Sequence, residues 1–141
     1  MASKRSIAAF WHALARTAKL GSSHGADRIT ERNAMIVEER IYTLHPSQAP
    51  AYIKAYHEEG LAIQKPILGR LVGYYSTEFG PLNQVIHMWA YESLAEREER
   101  RAKLGASEAW RAYIAKVRGM IVSQENKILV PAPFLQVKWQ D

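Results

Sequence analysis

Two strand-like segments near the middle of the chain constrain its fold more than any other feature. Residues 71–79, LVGYYSTEF, and residues 84–92, QVIHMWAYE, are rich in β-branched and aromatic side chains and flank the turn sequence GPLN at 80–83. Strands joined by so short a turn pair in the antiparallel sense, as a β-hairpin. Any fold for this chain must therefore contain an antiparallel pair, and a four-residue loop places Phe79 opposite Gln84.

A strand and a helix precede the hairpin. Residues 35–44, MIVEERIYTL, have the composition of a strand. From Ser47, a suitable N-cap, the apolar positions recur at helical spacing until Pro66, which should stop or kink the helix.

A helix and a strand also follow the hairpin. Residues 93–96, SLAE, form a capping box, and Ser107 can cap a second helical segment after Gly105. Residues 127–134, KILVPAPF, predict the last strand. The order β-α-β-β-α-β predicts an α+β, ferredoxin-like fold, with helices on one face of an antiparallel sheet. The charges of EREERR at 96–101 are typical of a solvated helix face.

Composition narrows the classes of function. The chain has no cysteine, which excludes disulfides, thiolate zinc sites and cysteine nucleophiles. No apolar run is long enough to span a membrane, and we expect a soluble protein. The net charge of +5 belongs mostly to residues 1–34, with six basic and two acidic side chains, whereas the remainder has 13 and 12. We therefore expect no nucleic-acid partner.

Residues 1–34 are predicted to be an extension of the domain at 35–134, and residues 135–141 a C-terminal tail. Positions 4–20 predict a basic amphipathic helix, followed by a flexible linker. The extension has the composition of a mitochondrial presequence, if the source is eukaryotic. It could instead bind a partner or membrane surface, or be a loose tail or an artefact upstream of a true start at Met35. We expect a cytoplasmic location, or a mitochondrial one in a eukaryote.

The alternation of the third strand divides its side chains between two faces. Ile86, Met88 and Ala90 point one way and His87, Trp89 and Tyr91 the other. The small aliphatic set suits packing against helices, which predicts that the aromatic set lies on the open face. An exposed face of this kind needs cover. We therefore expect a homodimer that closes the two sheets into a dimeric α/β barrel.

The hairpin register indicates which side chains accompany His87. It places Ser76 opposite His87 and Tyr74 opposite Trp89, while a bulge would substitute Tyr75 for Tyr74. In the first strand, Val37 and Ile41 are assigned to the helices, which assigns the remaining alternate positions to the face of His87. The predicted cavity residues are Tyr42, Tyr74, Ser76 and Trp89, with Glu38, Arg40 and His87 as its polar groups.

Two interpretations of the polar groups stay open. His87 could act as a general base or a haem ligand, or be a buried histidine bonded to a strand neighbour such as Ser76. Glu38 and Arg40 could bind a carboxylate or enolate, or form a structural ion pair. No phosphate loop, nucleophile elbow or clustered metal-ligand pattern is present, so we expect no cofactor.

Residues 73–98 closely resemble the signature of the NIPSNAP family: an aromatic strand, a Gly-x-Leu-Asn turn, a His-x-Trp-x-Tyr strand and an arginine-bearing helix. Residues 37–42 look like the opening strand of that family. Residues 123–126 and 129–131 look like the end of its sequence pattern. The resemblance implies the dimeric α/β barrel shared with cofactor-free monooxygenases of antibiotic biosynthesis and with haem-linked enzymes. Vertebrate members are associated with mitochondria, vesicle traffic and mitophagy signalling.

The resemblance implies little chemistry, because most members have no assigned reaction. We expect either a cofactor-free enzyme acting on a hydrophobic small molecule or a non-catalytic interaction or adaptor module. An enclosed cavity above about 300 Å³ in the dimer would favour the enzyme.

Overall fold

A computed structural model describes residues 35–141, and the predicted helix at 4–20 lies outside the described residues. Its four strands form one antiparallel sheet in the order β2-β3-β1-β4. The strands are β1 (Ile36–Leu44), β2 (Arg70–Ser76), β3 (Gln84–Tyr91) and β4 (Ile121–Leu129).

Three helical segments complete the fold. The first runs from α1 (Ala49–Ala55) through a π-helical turn (Tyr56–Gly60) into α2 (Leu61–Leu68), and it connects β1 to β2. The connection from β3 to β4 contains the other two, α3 (Leu94–Ala106) and α4 (Glu108–Val117). The predicted β-α-β-β-α-β order and the ferredoxin-like α+β class are confirmed.

Serine caps begin α3 and α4 as the sequence predicts. The Ser93 hydroxyl accepts a hydrogen bond from the Glu96 backbone N–H at 3.1 Å, and the Ser107 hydroxyl accepts one from the Trp110 N–H at 3.3 Å. The cap predicted at Ser47 is wrong, because α1 begins later, with Gln48 at its N-cap. Ser47 instead has a left-handed backbone with φ of 67°.

The hairpin register differs from the prediction by two residues. Tyr74 lies opposite His87, and Ser76 lies opposite Val85. The connection is longer than four residues because Asn83 is held by β1: its carbonyl accepts from the Leu44 N–H at 2.8 Å. Phe79 is consequently 89% exposed and does not pair with Gln84.

The last strand begins earlier than predicted. It pairs with β1 from Ile121 to Leu129, where residues 127–134 were the expectation. Eight of its nine residues are exposed, so this edge strand lacks the alternation that would locate it. The chain after it returns to β2, where the Gln140 N–H donates to the Leu71 carbonyl at 2.9 Å.

The assignment of the two sheet faces is wrong. His87, Trp89 and Tyr91 face the helices, whereas Ile86 and Met88 lie on the opposite face. Aliphatic side chains were expected against the helices, but the helices themselves present large rings. Trp89 and Tyr91 pack with Leu68 of α2 and Leu104 of α3, and Tyr42 and Val85 pack with rings from the helices: Tyr52, Tyr56 and Tyr113.

Candidate functional site

His87 lies at the centre of an aromatic layer between the sheet and the helices. Its side chain is 2% exposed. The Tyr74 ring stacks on it with centroids 5.1 Å apart, and the Tyr42 ring meets it edge-on at 5.0 Å. Tyr56 stacks on the far side of Tyr74 at 4.4 Å. One ring therefore stacks on the imidazole and a second meets it at nearly a right angle.

The hydrogen bond of His87 defines its protonation. The indole Nε1–H of Trp89 donates to Nδ1 of His87 at 2.9 Å, so Nδ1 carries no proton. Burial, reinforced by the positive charges of Arg40 and Arg101, lowers the pKa of His87 to about 3. At neutral pH the ring is therefore uncharged with its proton on Nε2, and this histidine is a hydrogen-bond donor and a weak base. Of the two interpretations that the sequence left open, the structure shows the hydrogen bond of a buried histidine, with Trp89 as partner in place of Ser76.

A cluster of charged side chains surrounds Glu38 beside this layer. Three guanidinium groups contact the fully buried carboxylate: Arg40 at 3.0 Å, Arg97 at 2.7 Å and Arg101 at 2.9 Å. The amide of Asn126 donates to the same carboxylate at 3.1 Å. We call these five residues the Glu38 cluster.

The cluster keeps Glu38 ionised despite its burial. Burial by itself raises the pKa of a carboxyl group, because it disfavours the charged form. Here hydrogen bonds from Arg97 and Asn126, with the charges of Arg101 and Arg40, outweigh burial and lower the pKa of Glu38 to about 2. The predicted pair of Glu38 and Arg40 is thus one edge of a larger network.

Most predicted site residues come together, although on the helix side of the sheet. Arg40 lies opposite His87 in the strand register, and its Nε donates to the Tyr42 hydroxyl at 3.0 Å. Ser76 shares this face but lies opposite Val85 and is exposed. The site therefore contains Glu38, Arg40, Tyr42, Tyr74, His87 and Trp89.

Sequence reasoning missed Arg97 and Arg101, because the charged stretch of α3 resembles a solvated face. A usable signal was present: positions 97, 101 and 104 follow helical spacing, and Leu104 is a core residue. The arginines therefore lie on the buried face of α3. The solvated-face interpretation holds for Glu98 and Glu99, which are exposed, but not for Glu96 and Arg100, which are partly buried and paired at 2.9 Å.

Two features of the described residues bear on the class of site. Within 35–141, no cluster of three or more His, Asp or Glu side chains could hold a metal ion. The same part of the chain contains no helix that is long and apolar enough to span a membrane.

The fold and register place the chain in the ferredoxin-like α+β class, which includes a putative antibiotic biosynthesis monooxygenase from Nitrosomonas europaea. That structure matches with a TM-score of 0.53 over 70% of this chain and 91% of its own, at 9% identity, and shows the fold alone. The family is more specific. The NIPSNAP family model matches residues 37–136, and the chain belongs to the NIPSNAP family.

Individual relatives agree with this membership. An uncharacterized NIPSNAP-like domain protein from Burkholderia xenovorans is 48% identical, with a TM-score of 0.72 over 77% of this chain and 97% of its own. The human protein NipSnap homolog 3A is 29% identical over 108 residues, which cover 75% of this chain and 43% of the human one. The present chain thus corresponds to less than half of that relative.

Proposed function

We propose that two copies of this chain close into a dimeric α/β barrel that acts on a small hydrophobic molecule without a cofactor. The observation that carries the proposal is the donor array beside the aromatic layer: the Nε2–H of neutral His87 and the guanidinium of Arg40, held by Glu38. Fixed donors in a water-poor site stabilise negative charge as it develops on oxygen. The arrangement therefore fits the stabilisation of an enolate oxygen, with the proton from the carbon next to the carbonyl passing to water or a buffer base.

The open face of the sheet supports the homodimer. It carries Ile41, Ile86 and Met88, with Tyr75, which is 55% exposed, in the same cross-strand row as Ile41 and Ile86. A groove of about 430 Å³ between this face and the chain after β4 is almost entirely apolar. Apolar surface of this kind usually marks an interface.

The reaction is tested with a set of enolisable aromatic acids and ketones, by following deuterium incorporation from D₂O at the carbon next to the carbonyl. The full chain should accelerate incorporation for at least one compound, and His87→Phe, which has no polar hydrogen, should lose at least about tenfold of the rate, as for one lost donor. His57→Gln, at an exposed helix position, is the matched control. If no compound exchanges faster than in buffer, the enzyme proposal fails.

A non-catalytic interaction module is the second candidate, and one observation favours it. The rings of Tyr42, Tyr56 and Tyr74 fill the space around His87 in the single chain, which leaves it 2% exposed. In this case His87→Ala leaves the Trp89 N–H unpaired and costs about 1–3 kcal/mol of stability. Such a loss, together with the absence of exchange activity, would select this candidate.

A further inference from the structure

The Glu38 cluster contains more positive charge than its own carboxylate can neutralise. Arg40, Arg97 and Arg101 surround one acidic group, and their side chains are 19%, 24% and 17% exposed. The neighbouring imidazole of His87 is uncharged, so it adds nothing to either side. Two positive charges are therefore in excess at a place where screening by water is reduced.

Two donors in or beside the cluster have no acceptor. The Nε–H of Arg97 is buried and makes no hydrogen bond within the described residues. The hydroxyl of Tyr91, next to the cluster on a side chain that is 0% exposed, approaches the guanidinium of Arg101, which can only donate, so its own proton has no acceptor. Burial raises the pKa of Tyr91, and the charge and hydrogen bond of Arg101 oppose this shift. The hydroxyl stays protonated and can donate.

Buried donors without acceptors are uncommon in folded proteins and call for a specific explanation. We infer that the Glu38 cluster is a binding site for the carboxylate of a small aromatic acid, with Arg97 and Arg101 contacting its oxygens and Tyr91 donating to it. This inference rests on the proposed function, because it names the substrate class of the same site. One bound carboxylate leaves the cluster with a net charge of +1, so Glu38 does not repel the ligand overall.

The chemistry of the neighbours favours a carboxylate on an aromatic body. Guanidinium groups match the planar, two-oxygen geometry of a carboxylate. Arg101 contacts only one oxygen of Glu38, which its Nε and Nη2 approach at 3.0 and 2.9 Å. The rings of Trp89, Tyr42 and Tyr74 lie on the same side of the sheet, next to His87. Trp89 and Tyr42 are buried, so the partly exposed Tyr74 is the ring among these three that can contact the rest of the ligand.

The experiment is a titration of the full-length chain with benzoate, benzamide and inorganic phosphate, followed by tryptophan fluorescence and calorimetry. We expect saturable binding of benzoate, with benzamide at least about tenfold weaker because it carries no charge. Equal affinities for the two compounds, no saturable binding of benzoate, or tighter binding of phosphate would each overturn the carboxylate assignment. This comparison needs no substitution and is independent of any folding defect.

Variants locate the site. Arg97→Gln and Arg101→Gln should each weaken benzoate binding at least about tenfold, and Tyr91→Phe by a smaller factor, because the phenol contributes one neutral donor. Arg101→Lys keeps the charge without the planar fork and should recover part of the loss. The matched control is Arg111→Gln, which removes one exposed charge from α4. Benzoate affinity that is equal in folded Arg97→Gln and wild type would overturn the inference.

Binding and turnover are separable outcomes. Saturable benzoate binding that depends on Arg97 and Arg101, without deuterium exchange in any tested acid, would keep the binding site and remove the enzyme proposal. Exchange that depends on His87 but proceeds equally in Arg97→Gln would keep the enzyme and remove the carboxylate site.

Discussion

At the scale of single residues, environment decides what each side chain can do. The sequence suggests a base at His87, yet the hydrogen bond from Trp89 and the burial of the ring make it a neutral donor. Glu38 and Arg40 are close in sequence and their pairing is predictable. The other partners of Glu38 come from α3 and β4, between 59 and 88 positions away, and no local pattern connects them.

The first prediction concerns acid stability. The pKa of His87 is about 3 in the folded chain and 6.5 ordinarily. Between these pH values the unfolded chain therefore binds a proton at His87 and the folded chain does not. The contribution of His87 to the free energy of unfolding is fully present above pH 6.5. It falls by about 1.4 kcal/mol per pH unit below that value. Glu38 adds its own loss only as the pH falls below 4.5 towards about 2.

The window from pH 6.5 to 4.5 therefore isolates the histidine. Urea unfolding across it should give a clear slope for wild type and for His57→Gln, and a flatter one for His87→Gln. Parallel plots of the free energy of unfolding against pH for all three proteins would show that the pKa of His87 is not lowered in the folded chain.

At the scale of secondary-structure elements, alternation determines which residues share a face but not which face meets the helices. Both faces of β3 are apolar, so composition alone does not distinguish them. The deciding information was on the helices: Tyr56, Trp110 and Tyr113 lie on the helical stripes and need large partners across the interface. The hairpin register was not predictable locally either, because Asn83 bonds to β1.

The second prediction tests the packing of the π-helical turn. A Cβ at Gly60 would lie 2.7 Å from ring carbons of both Tyr56 and Tyr113. Gly60→Ala should therefore destabilise the fold by about 1–3 kcal/mol, through overpacking that exceeds the gain in helix propensity.

Gly105 provides the matched control. It lies within α3, and a Cβ there would meet nothing within 4 Å. Gly105→Ala should stabilise the protein by about 0.5–1 kcal/mol in the same thermal-unfolding assay. Equal effects of the two alanines would contradict the close contact at Gly60.

At the scale of the whole molecule, the ferredoxin-like order and the family follow from the sequence, because element types and one long motif carry them. Trp89 does not require a second chain to cover it, because the helices of its own chain already do so. We still expect a dimer, because the open face of the sheet presents the apolar side chains of Ile41, Ile86 and Tyr75.

The third prediction is that the full chain is a dimer at micromolar concentration. Ile86→Lys places a charge in the middle of the open face and should yield a folded monomer by light scattering. Leu82→Lys, in the hairpin loop where the side chain is 64% exposed, should remain dimeric. A monomeric wild type would remove the proposed barrel.

The fourth prediction is that residues 1–34 are dispensable for the fold. All four strands and both core clusters lie within residues 35–141. A chain that starts at Met35 should unfold cooperatively, with a midpoint close to that of the full chain. A broad or much lower transition would show that the extension stabilises the core.

The hydrogen bond from Trp89 to His87 also gives the protein an internal reporter. Its indole proton lies in the core, so exchange with deuterated solvent requires an opening of the sheet–helix layer. The exchange time of this one proton measures the free energy of that opening. Its NMR frequency should shift when a molecule docks beside the imidazole, so occupancy of the interior can be detected before any substrate has been identified.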